Sequence, residues 1–218
     1  HCTDRPKENT QFQFYNMSYT PMNWADITVA QYLQINDAVN ATYEEEGGLQ
    51  KRLIEIVYEI EDADIMTVTD YLKCINSIAF IREAPTPSKV RDTYRLGTTD
   101  YTFTKDINTI TTAQYFDYTQ YQKQDTINMI DFISVFLVPT GHKYNDGYDI
   151  NVVKEDIKTM GICEALGMMD FFSKAWQHFT KVSTTFLSKI LKRRVKTTKE
   201  EETLQTVMAQ LNRLAKTV

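Results

Sequence analysis

The residues best placed to do chemistry in this 218-residue chain lie in one stretch, Pro139-Thr140-Gly141-His142-Lys143-Tyr144-Asn145-Asp146-Gly147-Tyr148-Asp149. His142, Asp146 and Asp149 offer an imidazole and two carboxylates, donor types that hold a divalent cation and let it activate water for hydrolysis. The EF-hand spacing, with alternating oxygen donors ending in a Glu at position 12, is missing. A polar turn built on two glycines accounts for the same residues more simply. Elsewhere, Asp62/Asp64 and Glu44–Glu46 are paired carboxylates, but glycosidic chemistry needs two carboxyls facing each other across a cleft. These pairs read as solvated helix ends. His178, between Trp176 and Phe179, reads as a polar-face or interface histidine, and Cys163 in Gly161-Ile162-Cys163 as a buried thiol. No GxSxG, Walker-A or dinucleotide-binding glycine pattern is present. The expectation is a protein that is not an enzyme, with no catalytic residue, cofactor or metal.

Charge points to a second kind of chemistry. Residues 189–199 carry Lys189, Lys192, Arg193, Arg194, Lys196 and Lys199. Such a run can neutralise phosphates, with Lys192, Arg193, Arg194 and Lys196 as the candidate nucleic-acid contacts. A cationic helix end is also favoured by the helix dipole alone, and the net charge of −5 disfavours nucleic acid as the default partner. Composition, 42% hydrophobic and 24% charged, is that of an ordinary globular protein. Cys2, Cys74 and Cys163 are odd in number and widely spaced, which suits reduced thiols. No apolar run reaches the roughly 20 residues that span a bilayer. The first ten residues, HCTDRPKENT, are polar and lack the apolar core of a signal peptide.

The elements that position these groups are mostly helices, and one helix start occurs twice. Ile27-Thr28-Val29-Ala30-Gln31-Tyr32 and Ile110-Thr111-Thr112-Ala113-Gln114-Tyr115 share the pattern I-T-x-A-Q-Y. In each, a Thr N-cap is followed three residues later by Gln, the spacing of a capping box, and the Ile precedes the cap as a hydrophobic-staple residue would, facing Tyr32 or Tyr115. The first helix is expected to end at Glu44–Gly48. Helices follow over about 49–60 (Leu53, Ile54, Val57, Ile60) and from Thr67 or Thr69 (Val68, Tyr71, Leu72, Ile75, Ile78). Pro85 and Pro87 mark a linker. Tyr94 and Leu96, then Tyr101 and Phe103, bracket a Gly97 turn as a β-hairpin. The apolar run from Thr126 to Val138 predicts one helix and residues 151–160 another. A long helix is expected from Cys163 as far as Val195.

The fold class is therefore mainly α: two pseudo-repeated helical lobes, a small β-hairpin between them and a C-terminal amphipathic helix. The boundaries are an N-terminal segment at 1–22, lobe 1 at 23–83, linker and hairpin at 84–105, lobe 2 at 106–191, and a basic linker with a docking helix at 192–218. Phe172, Trp176, Phe179 and Phe186 on the long helix, with Leu204, Val207, Met208, Leu211 and Leu214 on the last, are the candidate partner-binding residues.

The order Ile110–Tyr115, the apolar stretch Ile127–Val138, the turn Phe136–Asp149 and the pair Phe171-Phe172 resembles the tail-assembly chaperones and related virion-morphogenesis proteins of tailed bacteriophages, especially phages of Bacteroidota. The resemblance covers residues 24–190. It implies a non-enzymatic structural or assembly protein that binds other virion or tail proteins, self-associates in some cases, and resides in the virion or in host cytoplasm during assembly. A second reading is a head or connector component that contacts DNA through its basic segment. A third is a metal-dependent hydrolase centred on His142, Asp146 and Asp149.

Overall fold

The computed structural model describes residues 22–122 and 128–175. They form a mostly helical protein with one small antiparallel sheet. The described residues fall into two compact units: residues 22–86 with Gly161–Cys163 form unit 1, and the described residues of Pro87–Met160 with residues 164–175 form unit 2.

Unit 1 opens with a 3-10 turn, Trp24–Asp26, in which Asn23 and Asp26 cap each other. The Trp24 indole N–H donates to the Glu83 carbonyl at 2.7 Å, and its ring meets Phe80 edge-on at 5.2 Å. Helix α1, Val29–Asn40, starts at the Thr28 capping box. It ends at Asn40, ahead of the expected Glu44–Gly48. Apolar periodicity stops at Ala38, and Ala41 turns extended (ψ 156°), leaving the three glutamates in an exposed turn. Gly47, at φ +84°, makes the left-handed step into α2, Gly48–Tyr58. That helix buries Leu53, Ile54, Ile56 and Val57. Thr67 caps α3, Val68–Ser77, which tightens into a 3-10 turn at Ile78–Arg82. A late segment completes the unit: Gly161 bridges Thr28, and the Ile162 N–H donates to the Ile27 carbonyl at 2.8 Å.

The expected α3 helix forms, and its apolar residues divide between surface and interior: Val68 and Leu72 are 76% and 54% exposed, whereas Cys74, Ser77 and Ile78 are buried. The Ser77 hydroxyl donates to the Cys74 carbonyl and also pairs with the Tyr58 hydroxyl. A helical period locates an apolar stripe without saying whether anything covers it.

In unit 2, β1 (Thr93–Leu96) and β2 (Thr99–Phe103) form the expected hairpin, with Tyr94 opposite Tyr101 and Gly97 turning at φ +54°. Alternation turns Tyr94, Leu96, Tyr101 and Phe103 inward. Helix α4, Thr112–Gln122, follows Thr111, and Asn128 caps α5, Met129–Phe136. The apolar run does not stay helical to Val138. Leu137–Pro139 forms β3, a third strand pairing antiparallel with β2. A residue before proline is pushed out of the helical region, and Pro139 has no N–H to continue the ladder, so the helix stops and a short strand begins. Helix α6, Ile150–Lys158, is capped by Asp149, and helix α7 occupies 162–175 within the described residues. The core of this unit includes an aromatic cluster. Phe136 stacks on Phe172 at 3.6 Å, and Phe103 and Phe132 meet Phe172 edge-on.

Among the described residues, no helix is long and apolar enough to cross a membrane.

Candidate functional site

The 139–149 loop is built from turns that use its polar groups structurally. The His142 backbone N–H donates to the Pro139 carbonyl and the Asp146 N–H to the Lys143 carbonyl, both at 3.0 Å. Gly141, Asn145 and Gly147 take positive φ, which glycine and asparagine tolerate best. His142 Nδ1 lies 3.2 Å from the Asp146 carbonyl; a carbonyl only accepts, so Nδ1 carries the proton. Asp149 caps α6 by accepting from the Asn151 N–H at 2.9 Å. His142, Asp146 and Asp149 thus share a loop, but the contact between the first two is to a main-chain carbonyl, and the third serves a helix end. Among the described residues no group of three or more His, Cys, Asp and Glu side chains is placed to hold a metal ion.

Two tyrosines tie this region down. The Tyr144 hydroxyl donates to Asp117 Oδ2 at 2.7 Å, and the Tyr101 hydroxyl to Asp156 Oδ2 at 2.6 Å. Burial, then the facing carboxylate, pushes both phenols well above their ordinary range, so both remain protonated donors. Neither pairing had a signal in the sequence, because the partners lie 27 and 55 positions apart.

The repeated helix start is a double cap. Thr28 Oγ1 accepts from the Gln31 N–H at 3.2 Å, while Gln31 Oε1 accepts from the Thr28 N–H at 3.0 Å. Thr111 and Gln114 make the same pair of bonds at 3.2 and 2.9 Å. Each Gln then uses its amide N–H to close the last turn of the next helix. Gln31 donates to the Ile56 and Val57 carbonyls at 3.4 and 3.5 Å, and Gln114 to the Val135 carbonyl at 2.8 Å. Terminal carbonyls of a helix lack intrahelical donors. At Val135 the lack is enforced, since the residue four positions on is Pro139.

Of the candidate partner-binding residues, Phe172 is placed in the core. It is 1% exposed and stacked on Phe136, so it packs unit 2 and cannot present its ring to another protein. Trp176, Phe179, Phe186, Leu204, Val207, Met208, Leu211 and Leu214 lie outside the described residues, as do the basic residues Lys192, Arg193, Arg194 and Lys196, and His178.

The described apolar surface lies instead on unit 1. Val68, Leu72 and Ile75 stand at i, i+4 and i+7 on α3. Ile75 leads into an apolar groove of about 270 Å³ lined by Val39, Leu49, Leu53 and Ala79, with Arg82 at its edge. Val39 is exposed, as is Ile65 just before α3. Contiguous exposed apolar side chains of this kind mark interaction sites more often than isolated ones do. In the sequence these residues show only as an apolar stripe at helical spacing. In unit 2, Tyr115, expected to staple onto Ile110, is exposed beside Phe116. No protein-family model matches the chain, and neither a curated protein nor a solved structure matches it.

Proposed function

We propose that this chain is a non-enzymatic bacteriophage structural or assembly protein that works by binding other proteins. The observation that carries the reading is the uncovered apolar face of α3 and the groove it enters. Burying such a face against a partner is worth about 25 cal/mol per Å² of apolar surface, and no reaction is needed for it to act. The resemblance of its helix starts and of the 136–149 segment to tail-assembly and virion-morphogenesis proteins supplies the setting. That setting is the virion, or host cytoplasm while particles are being built.

The two units descend, in this reading, from one duplicated helical lobe. Its support is the shared double cap, in which one Gln starts a helix and finishes the next. The C-terminal amphipathic helix read from Leu204 to Val218 is an added docking element.

The test is composition. Mass spectrometry of purified particles and of assembly intermediates isolated from infected cells should find this chain in stoichiometric association with virion proteins. Its absence from both would overturn the reading.

A further inference from the structure

We propose that the apolar face of α3 receives residues 189–218 of a second copy of this chain, joining copies head to tail. The proposal rests on the protein-binding reading above and names its partner.

Shape and period come first. The α3 face runs Val68, Leu72 and Ile75, spacings of four and three, the pattern of a narrow helix–helix seam. The C-terminal sequence carries Leu204, Val207, Leu211, Leu214 and Val218 at three, four, three and four. At roughly 1.5 Å per residue the face from Val68 to Ile75 is about 11 Å long, and residues 204–218 would reach about 21 Å as a helix, enough to cover it.

Charge favours the occupant: residues 22–86, the segment that carries the face, hold twelve acidic side chains against four basic ones, with Glu44, Glu45 and Glu46 exposed. Residues 189–218 hold eight basic against three acidic. The alternative segment, residues 1–21, has two of each and an alternating Phe12/Phe14 pattern that suits a strand edge rather than a seam. Opposite fields steer the basic segment toward this surface and disfavour the neutral one. Because the face and the segment are different parts of the chain, the contact is heterologous and leaves every dimer with one face and one tail unused. Such a contact propagates into rings or filaments, whereas docking within one copy would only mask the face.

The purified full chain is examined by analytical ultracentrifugation. Wild type should sediment above monomer mass as concentration rises. It should dissociate as salt is raised, because screening shortens to about 3 Å at 1 M. Val68→Lys with Leu72→Lys places positive charge against the basic segment, and Val207→Asp with Leu211→Asp breaks the tail stripe. Each pair should weaken association roughly tenfold or more, with circular dichroism unchanged, since Val68 and Leu72 are exposed. An equimolar mixture of the two variants retains one intact tail and one intact face. It should form a one-to-one dimer and nothing larger.

The proposal is overturned by a wild type that stays monomeric at every concentration and salt, or by variants that associate like wild type. It is also overturned by monomers that merely expand in the variants, which would place the tail on its own copy. Loss of association on changing Phe12 and Phe14 to Ser with the tail intact would hand the face to the N-terminal segment. Only this chain is in the cell, so failure here leaves the virion-protein reading to be judged by particle composition.

Discussion

Units 1 and 2 share the same six-residue helix start and close around different materials. Unit 1 is largely aliphatic: Ile27, Val29, Ile35, Ile54, Val57 and Ile78 are buried. Unit 2 adds an aromatic cluster to its aliphatic residues, with Tyr94, Tyr101, Phe103, Tyr118, Phe132, Phe136 and Phe172 buried. The device itself is shifted between them. In unit 1 the Ile is the anchor: Ile27 is 0% exposed and its carbonyl accepts from Ile162. In unit 2 the Gln is the anchor: Gln114 is 3% exposed and makes the shorter bond to the following helix. Local sequence sets the capping geometry, while the surrounding core decides which member of the box carries weight.

The sharpest test of this contrast is alkaline pH. Burial raises Tyr101, Tyr118 and Tyr144 in unit 2 far above the ordinary phenol value of 10.0; unit 1 has Tyr58, raised by burial to a lesser degree. A phenol that ionises later in the folded state keeps its contribution below pH 10 and loses it as pH rises toward the folded value. After brief exposure to pH about 11.5, where unfolded phenols are ionised, limited proteolysis should cut first within unit 2. First cuts in unit 1 would break the comparison.

Next in size, Ile27→Ala should cost about 2–5 kcal/mol, as buried aliphatic truncations do. Ile110→Ala, at a half-buried position, should cost about 1 kcal/mol. Urea unfolding followed by circular dichroism measures both, and equal losses would contradict the idea that Ile anchors only unit 1. The order reverses at the glutamines. Gln114→Ala strands the Val135 carbonyl beside Pro139 and should cost about 1–3 kcal/mol. Gln31→Ala, with longer and more exposed bonds, should cost under about 1 kcal/mol by the same measurement. The threonine effects are predicted to match: Thr28→Ala and Thr111→Ala should each cost about 1 kcal/mol, since both hydroxyls cap at 3.2 Å. A large difference there would mean that the boxes are not equivalent.

What was legible in the sequence was local. A Thr and a Gln three apart determine a capping box without help from the rest of the chain, and Gly97 between alternating apolar residues determines a hairpin. The third strand was not legible, because Leu137 and Val138 continue a helical apolar pattern and only Pro139, together with a partner strand 34 residues earlier, turns them extended. The exposure of the α3 face was not legible for a related reason: Val68 and Leu72 recur at helical spacing, and coverage is a property of neighbours. Tyr144–Asp117 and Tyr101–Asp156 depend on tertiary approach, which no spacing rule encodes. Likewise, Phe172 looked like one more aromatic on a long stripe until the stack with Phe136 placed it inside.

The pairing of Gly161–Ile162 with Ile27–Thr28 also sets an order of events on the ribosome. Residues 22–86 emerge early, but the segment that takes up the Ile27 carbonyl is made only after α6. At roughly 5–20 residues per second, the nascent first unit waits on the order of 4–15 s for its last piece. During that interval the Ile27 carbonyl lacks the donor that it has in the finished unit, so the start of the first helix is the last part of unit 1 to be secured.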